Sequence, residues 1–136
     1  MTPDEMQKAV SLIENETDAN ARALLLAALV SEEFRARGFE PVIVGGSAIE
    51  FYTDGAYMSG DVDVCWKGGR TPTAADRAGV MAAVPGVEPL GTRCWKLFDL
   101  YLDLLGEVTT YTPENYTKMA TPLGTIVLQP VEDLLV

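Results

Sequence analysis

Asp61 and Asp63 stand one residue apart in "SGDVDVCW", an apolar run where acidic side chains are costly to place. On a strand, positions i and i+2 face the same way about 6.6 Å apart, at ~3.3 Å per residue, so both carboxylates lean toward one point above the sheet. Like charges that close push each other toward the protonated form, whereas a divalent cation between them keeps both ionised. Oxygen-only ligands select a hard ion, and Mg²⁺ typically takes one or two carboxylates together with waters and substrate phosphates.

A third carboxylate is offered by "LFDLYLDLLGE". Read as strand, this stretch puts Asp99, Tyr101 and Asp103 on one face and Leu100, Leu102 and Leu104 on the other, so Asp99 and Asp103 compete for the role. Asp103 is the stronger candidate because it lies deeper in an apolar strand, where an unliganded carboxylate costs more. Asp99, near the strand's start, is easily solvated.

Upstream, Gly45, Gly46 and Ser47 follow the apolar "PVIV". A glycine turn leading from a strand into a helix presents backbone N–H groups at the positive end of the helix dipole, which suits a phosphate, and the serine hydroxyl adds a donor. Taken singly, each feature has a plainer explanation: a capped turn for the glycines and serine, a solvated edge strand for the Asp pair. Their succession in one chain points to phosphoryl or nucleotidyl transfer, which needs donors for the triphosphate and a metal to offset charge on the leaving group. Lys67 and Arg70, in the loop after the Asp pair, are the nearest cations for substrate phosphates.

The elements that must position these residues follow from periodicity and breakers. Helices are expected from Pro3 to about Glu14 and from about Asp18 to Arg37, the second ended by Gly38. A short buried strand, Pro41–Val44, leads through the glycine turn into a helix from Ser47 to about Thr53. A strand from Gly60 to Trp66 alternates Val62 and Val64 against Asp61, Asp63 and Cys65. "TPTAADRAGVMAAV" reads as a helix with Thr71 as N-cap and Pro72 in its first turn. Two strands, about Arg93–Phe98 and Leu100–Leu105, precede a hairpin of Tyr116–Thr121 and Thr125–Leu128 turning at "PLG". The closing "PVEDLLV" has the composition of a helix's first turns, so the chain ends as a fragment would, or in a very short helix.

With 136 residues and 48% apolar content, one α+β (α/β) domain with its own core is expected: N-terminal helices over residues 1–38 and a core over 39–136. The longest apolar run, Ala23–Val30, is far shorter than a membrane helix, and no signal segment opens the chain, so the cytoplasm is the expected compartment. There is no histidine, which excludes histidine triads and histidine-ligated metals; Cys65 and Cys94 are read as buried free thiols. A net charge of −10 disfavours unspecific binding to a polyanion.

Gly45-Gly46-Ser47, thirteen further residues, Asp61-Val62-Asp63 and a later strand acid at Asp103 together resemble the nucleotidyltransferase superfamily that includes DNA polymerase beta. Within it the chain resembles the small bacterial and archaeal nucleotidyltransferases related to abortive-infection toxins of toxin–antitoxin systems, over roughly Phe39 to the C-terminus. The resemblance implies a mixed, curved β-sheet backed by helices, two Mg²⁺ ions (or Mn²⁺) at Asp61, Asp63 and Asp103, and phosphates held by Gly46 and Ser47. It implies transfer of an NMP from an NTP, ATP among them, to a hydroxyl on an RNA end such as a tRNA, on a protein or on a small molecule, with a cognate antitoxin as a further partner. Tyr57 stands near the place where many relatives carry an arginine, while Ser59 fits their small hydroxyl residue. Relatives also continue into further nucleotide-binding helices after "EDLL", which makes a catalytically degenerate binding or regulatory module the alternative. A nucleotide-sugar glycosyltransferase would share the Asp-x-Asp motif but leave the Gly-Gly-Ser turn unexplained.

Overall fold

The side chains that start the helices set the frame. Thr2 and Glu5 form a reciprocal capping box at the head of α1 (Pro3–Asn15), and Asp18 accepts from the Ala21 N–H at the head of α2 (Ala19–Arg35). The computed structural model describes residues 1–55, 60–108 and 115–134; Tyr57 and Ser59 lie outside these. The remaining elements are β1 (Glu40–Ile43), α3 (Gly45–Tyr52), β2 (Asp61–Lys67), α4 (Ala74–Met81), β3 (Glu88–Pro89), β4 (Cys94–Leu97), β5 (Leu100–Glu107), β6 (Thr117–Thr121), β7 (Gly124–Leu128) and α5 (Val131–Leu134). Among the described residues this is an α+β arrangement of five helices and one open, mixed seven-stranded sheet, ordered β3-β4-β5-β2-β1-β7-β6.

The centre of the sheet decides what meets what. β2 runs parallel to β5 and antiparallel to β1, while β1 runs parallel to β7. Val62, Val64 and Trp66 are fully buried, and Trp66 packs 4.7 Å from the ring of Phe34 on α2 while its indole N–H donates to the Leu105 carbonyl. The register brings Leu102 and Leu104 of β5 beside Val62 and Val64, and Trp95 and Leu97 of β4 beside Leu102 and Leu100. Facing residues on paired strands point the same way, so one side of the sheet is a continuous apolar layer against α2. Each large side chain buried there contributes about 1.5–3 kcal/mol of transfer free energy, which makes this layer the core.

The other side carries the alternate residues: Asp61 and Tyr101 are exposed, and Asp63, Cys65, Cys94, Lys96 and Asp103 half-buried. A β-bulge of one extra residue in β5 falls between the Val64 and Trp66 positions, beyond Asp103, so the ladder is regular where the acids lie.

Three expectations about elements change. The helix of α4 is capped by Thr73, not Thr71: Thr73 and Asp76 satisfy each other's backbone N–H groups, and Thr71 has an alanine three residues on, where no such exchange is available. Asp99 is not in a strand but in the β4–β5 turn, next to Phe98 with φ of 56°. The "VEPLG" stretch, to which the sequence pattern assigns no element, contributes the two-residue strand β3.

Candidate active site

Parallel pairing of β2 with β5 sets Asp63 directly opposite Asp103 and Asp61 opposite Tyr101. Antiparallel pairing of β5 with β4 extends both rows, to Cys94 beside Asp103 and to Lys96 beside Tyr101. Two cross-strand rows result, Asp63–Asp103–Cys94 and Asp61–Tyr101–Lys96, all on the side of the sheet away from α2. Such neighbours have β-carbons about 4.5–5.5 Å apart, within reach of carboxylate and ammonium groups.

The strand–turn–helix segment adjoins the first row. Val44 N–H donates to the Asp63 carbonyl at 3.0 Å, which carries the chain from β1 across the start of β2. Gly45 follows with φ of 61°, a conformation L side chains resist, and a β-carbon there would stand 3.5 Å from Asp63 Oδ2. The residue at this turn therefore lies against the carboxylate. α3 then opens at Val44 without a side-chain cap, so the first N–H groups of Gly45, Gly46 and Ser47 have no intrahelical partner.

Ser47 is fully buried, and its hydroxyl donates to the Val44 carbonyl at 2.8 Å and accepts the Asp63 N–H at 3.0 Å. The hydroxyl proton is thereby used inside the fold. What Ser47 does in this geometry is join the head of α3 to the backbone of Asp63.

Burial and mutual repulsion dominate the electrostatics. Partial burial first, then the charges of Asp103 and Asp61 and a hydrogen bond with the Asp103 carboxyl, push Asp63 up to about 6. Asp61 is raised by partial desolvation and by Asp103. Cys94 is driven up to about 11 by burial and by its contact with Asp103, and Cys65 is raised by burial and by Asp63. No ion pair among the described residues involves Asp63 or Asp103. Asp99, in contrast, is exposed and pairs with Arg22 at 2.8 Å.

Lys67 and Arg70 are set apart from the acids. Lys67 closes β2 four residues beyond Asp63, about 13 Å at strand rise, with its ammonium 4.5 Å from the Tyr116 ring centroid. Arg70 donates to the Arg37 carbonyl and lies 4.2 Å from the Phe39 ring centroid. Lys96 shares the acids' side of the sheet, as Lys67 does by alternation along β2, and its ammonium stands 5.7 Å from the Tyr101 ring. Its signal in the sequence was the alternation of "CWKL", where Trp95 and Leu97 face the core and so turn Cys94 and Lys96 toward Asp103 and Tyr101.

The donor set is chemically suited to a hard divalent cation: three oxygen-bearing acids, two of them in contact and repelling. Among the described residues no three Cys, Asp or Glu side chains are already gathered into a metal-ligand cluster. A row of carboxylates, as opposed to a cage, is what an ion such as Mg²⁺ uses when it keeps waters and substrate oxygens as its other ligands. No family model, curated protein or solved structure matches the chain.

Proposed function

We propose that this protein is a nucleotidyltransferase with a nucleotidyltransferase-like fold, transferring an NMP from an NTP to a hydroxyl acceptor with Mg²⁺. The observation that carries the reading is Asp63, opposite Asp103 on parallel strands and covered by the glycine that opens an uncapped helix. Repelling acids, backbone donors for phosphate and a side of the sheet that solvent reaches are the parts the chemistry requires.

Asp61, Asp63 and Asp103 would hold the ions, two Mg²⁺ or Mn²⁺, which supply charge neutralisation for the triphosphate and lower the pKa of the acceptor hydroxyl. The N–H groups of Gly45 and Gly46 receive the phosphate oxygens, where an anion also gains from the helix dipole. Asp103 takes the acceptor's proton. The acceptor oxygen then bonds to the α-phosphorus while the bond from that phosphorus to the pyrophosphate oxygen breaks, and pyrophosphate leaves with the electron pair. Lys96 is placed to meet negative charge on the Asp61 side.

The test is incorporation of α-labelled NTP into RNA or protein with Mg²⁺, comparing the wild type with Asp61→Ala/Asp63→Ala. Label that depends on both aspartates supports the reading; equal label in the two proteins ends it. Binding of Mg²⁺–NTP with no transfer to any acceptor would leave a nucleotide-binding module.

A further inference from the structure

We propose that a second cavity, at the opposite end of β2 from the acids, binds a small phosphate-bearing anion independently of the carboxylate site. The cavity measures about 380 Å³ and is lined by Arg35, Glu40, Lys67, Lys118, Thr125 and Val127. Three of the ten cations of a chain with net charge −10 gather around it. Bringing three like charges to one concavity is unfavourable unless an opposite charge joins them.

The internal acids offset these charges only in part. Glu32 pairs with Arg35, which also donates to the Thr125 carbonyl at 2.8 Å, so the guanidinium is held in place. Glu40 is directly opposite Lys67 across β1 and β2, the position from which it should pair, yet no ion pair joins them among the described residues. Its carboxylate rests instead on Gly68, where a β-carbon would collide with Oε2. Lys67 lies over the Tyr116 ring, and Lys118, on the exposed strand β6, faces Val127. Both lysines thus reach the cavity without a carboxylate partner among the described residues.

Three other cations are committed elsewhere. Arg22 is bound to Asp99, Arg70 to the Arg37 carbonyl, and the buried Arg77 to the Thr92 and Pro72 carbonyls. Two lysines on flexible stems, a fixed guanidinium and the Thr125 hydroxyl make a donor set that suits the several oxygens of a phosphate or pyrophosphate group. The volume falls in the range of small-molecule sites.

The test is a titration with inorganic pyrophosphate, without Mg²⁺ or nucleotide, followed by amide chemical shifts. Expected are perturbations at Lys67, Lys118 and Thr125, an affinity about tenfold or more weaker in Lys67→Gln/Lys118→Gln, and unchanged affinity in Asp61→Asn/Asp63→Asn. If the double lysine variant fails to fold, the exposed Lys118→Gln alone carries the test and should bind more weakly, with Lys118→Arg restoring affinity. No response at millimolar pyrophosphate, or a response that the lysine variants retain in full, overturns the proposal. Because neither metal nor NTP is present, this outcome is separate from the presence or absence of nucleotidyl transfer.

Discussion

Asp63 and Asp103 face each other across the parallel pair β2–β5, and neither is met by an arginine or lysine among the described residues. The pair stores repulsion that only protonation or a bound cation relieves, and that makes its cost dependent on pH. Burial and the two neighbouring acids hold the Asp63 carboxyl at about 6, above its ordinary value near 4. Between about pH 4 and 6 the folded chain therefore binds more protons than the unfolded one, and Asp63 lowers stability progressively as pH rises through that window. Glu5 and Asp76, lowered by their capping bonds, act in the opposite sense, so the contrast with a variant is what isolates Asp63. In EDTA, Asp63→Asn should match the wild type in thermal stability near pH 4 and exceed it above pH 6. An advantage that does not grow across the window would contradict the shared-charge account.

Metal should remove that penalty. At pH 7, Mg²⁺ at ten times its dissociation constant is expected to stabilise the wild type by about 1.4 kcal/mol. Asp61→Asn/Asp63→Asn should show no such gain, and EDTA should return the wild type to its starting melting temperature. A melting temperature indifferent to Mg²⁺ across the millimolar range would remove the ion from the site.

The third acid can be assigned by substitution. Asp103→Asn should reduce nucleotidyl transfer by about a hundred- to a thousandfold, the scale for losing a group that interacts with charge in the transition state. Asp99→Asn should leave transfer unchanged and cost at most about 1 kcal/mol, because it loses only an exposed pair with Arg22. Equal losses of activity in the two variants would count against the register-based choice.

That choice shows how far the residues alone could lead. The alternation of Val62 and Val64 against Asp61 and Asp63 is local, and it was legible because burial on one side of a strand imposes a period of two. Depth in an apolar strand favoured Asp103 on desolvation cost, but its position opposite Asp63 depends on a parallel pairing between strands some forty residues apart, which no local pattern encodes. Nearness in sequence does not measure distance along a strand: Lys67 follows Asp63 closely, and an extended strand separates the two by about 13 Å. Lys96, thirty-three residues after Asp63, arrives beside Tyr101 through the β4–β5 hairpin. The hydroxyl of Ser47 was read as a ligand donor because its burial, and with it the bonds to Val44 and Asp63, appears only when α3 packs on β2.

Those bonds make Ser47 testable as a positioning residue. Ser47→Ala leaves the Asp63 N–H without its acceptor in a buried setting, at an expected cost of about 1–3 kcal/mol. Since the Asp63 backbone is also displaced, Mg²⁺ stabilisation should weaken along with it, measured as the Mg²⁺-dependent shift in melting temperature. Gly45→Ala should likewise destabilise, by about 1 kcal/mol or more, from the left-handed backbone. Wild-type stability together with wild-type Mg²⁺ response in Ser47→Ala would show that the hydroxyl positions nothing.

Cys94 reports on Asp103 chemically. Burial and the adjacent carboxylate hold its thiol at about 11, so at pH 8 only about one molecule in a thousand carries the reactive thiolate. Alkylation of Cys94 by iodoacetamide at pH 8 should therefore be far slower than for a free thiol. Asp103→Asn removes the negative charge opposite it, lowers the thiol's pKa and should accelerate the reaction, whereas Asp99→Asn, in the turn beyond, should not. Measured in Cys65→Ser so that a single thiol reacts, a rate at Cys94 that is insensitive to Asp103 would mean the two side chains do not meet across β4 and β5.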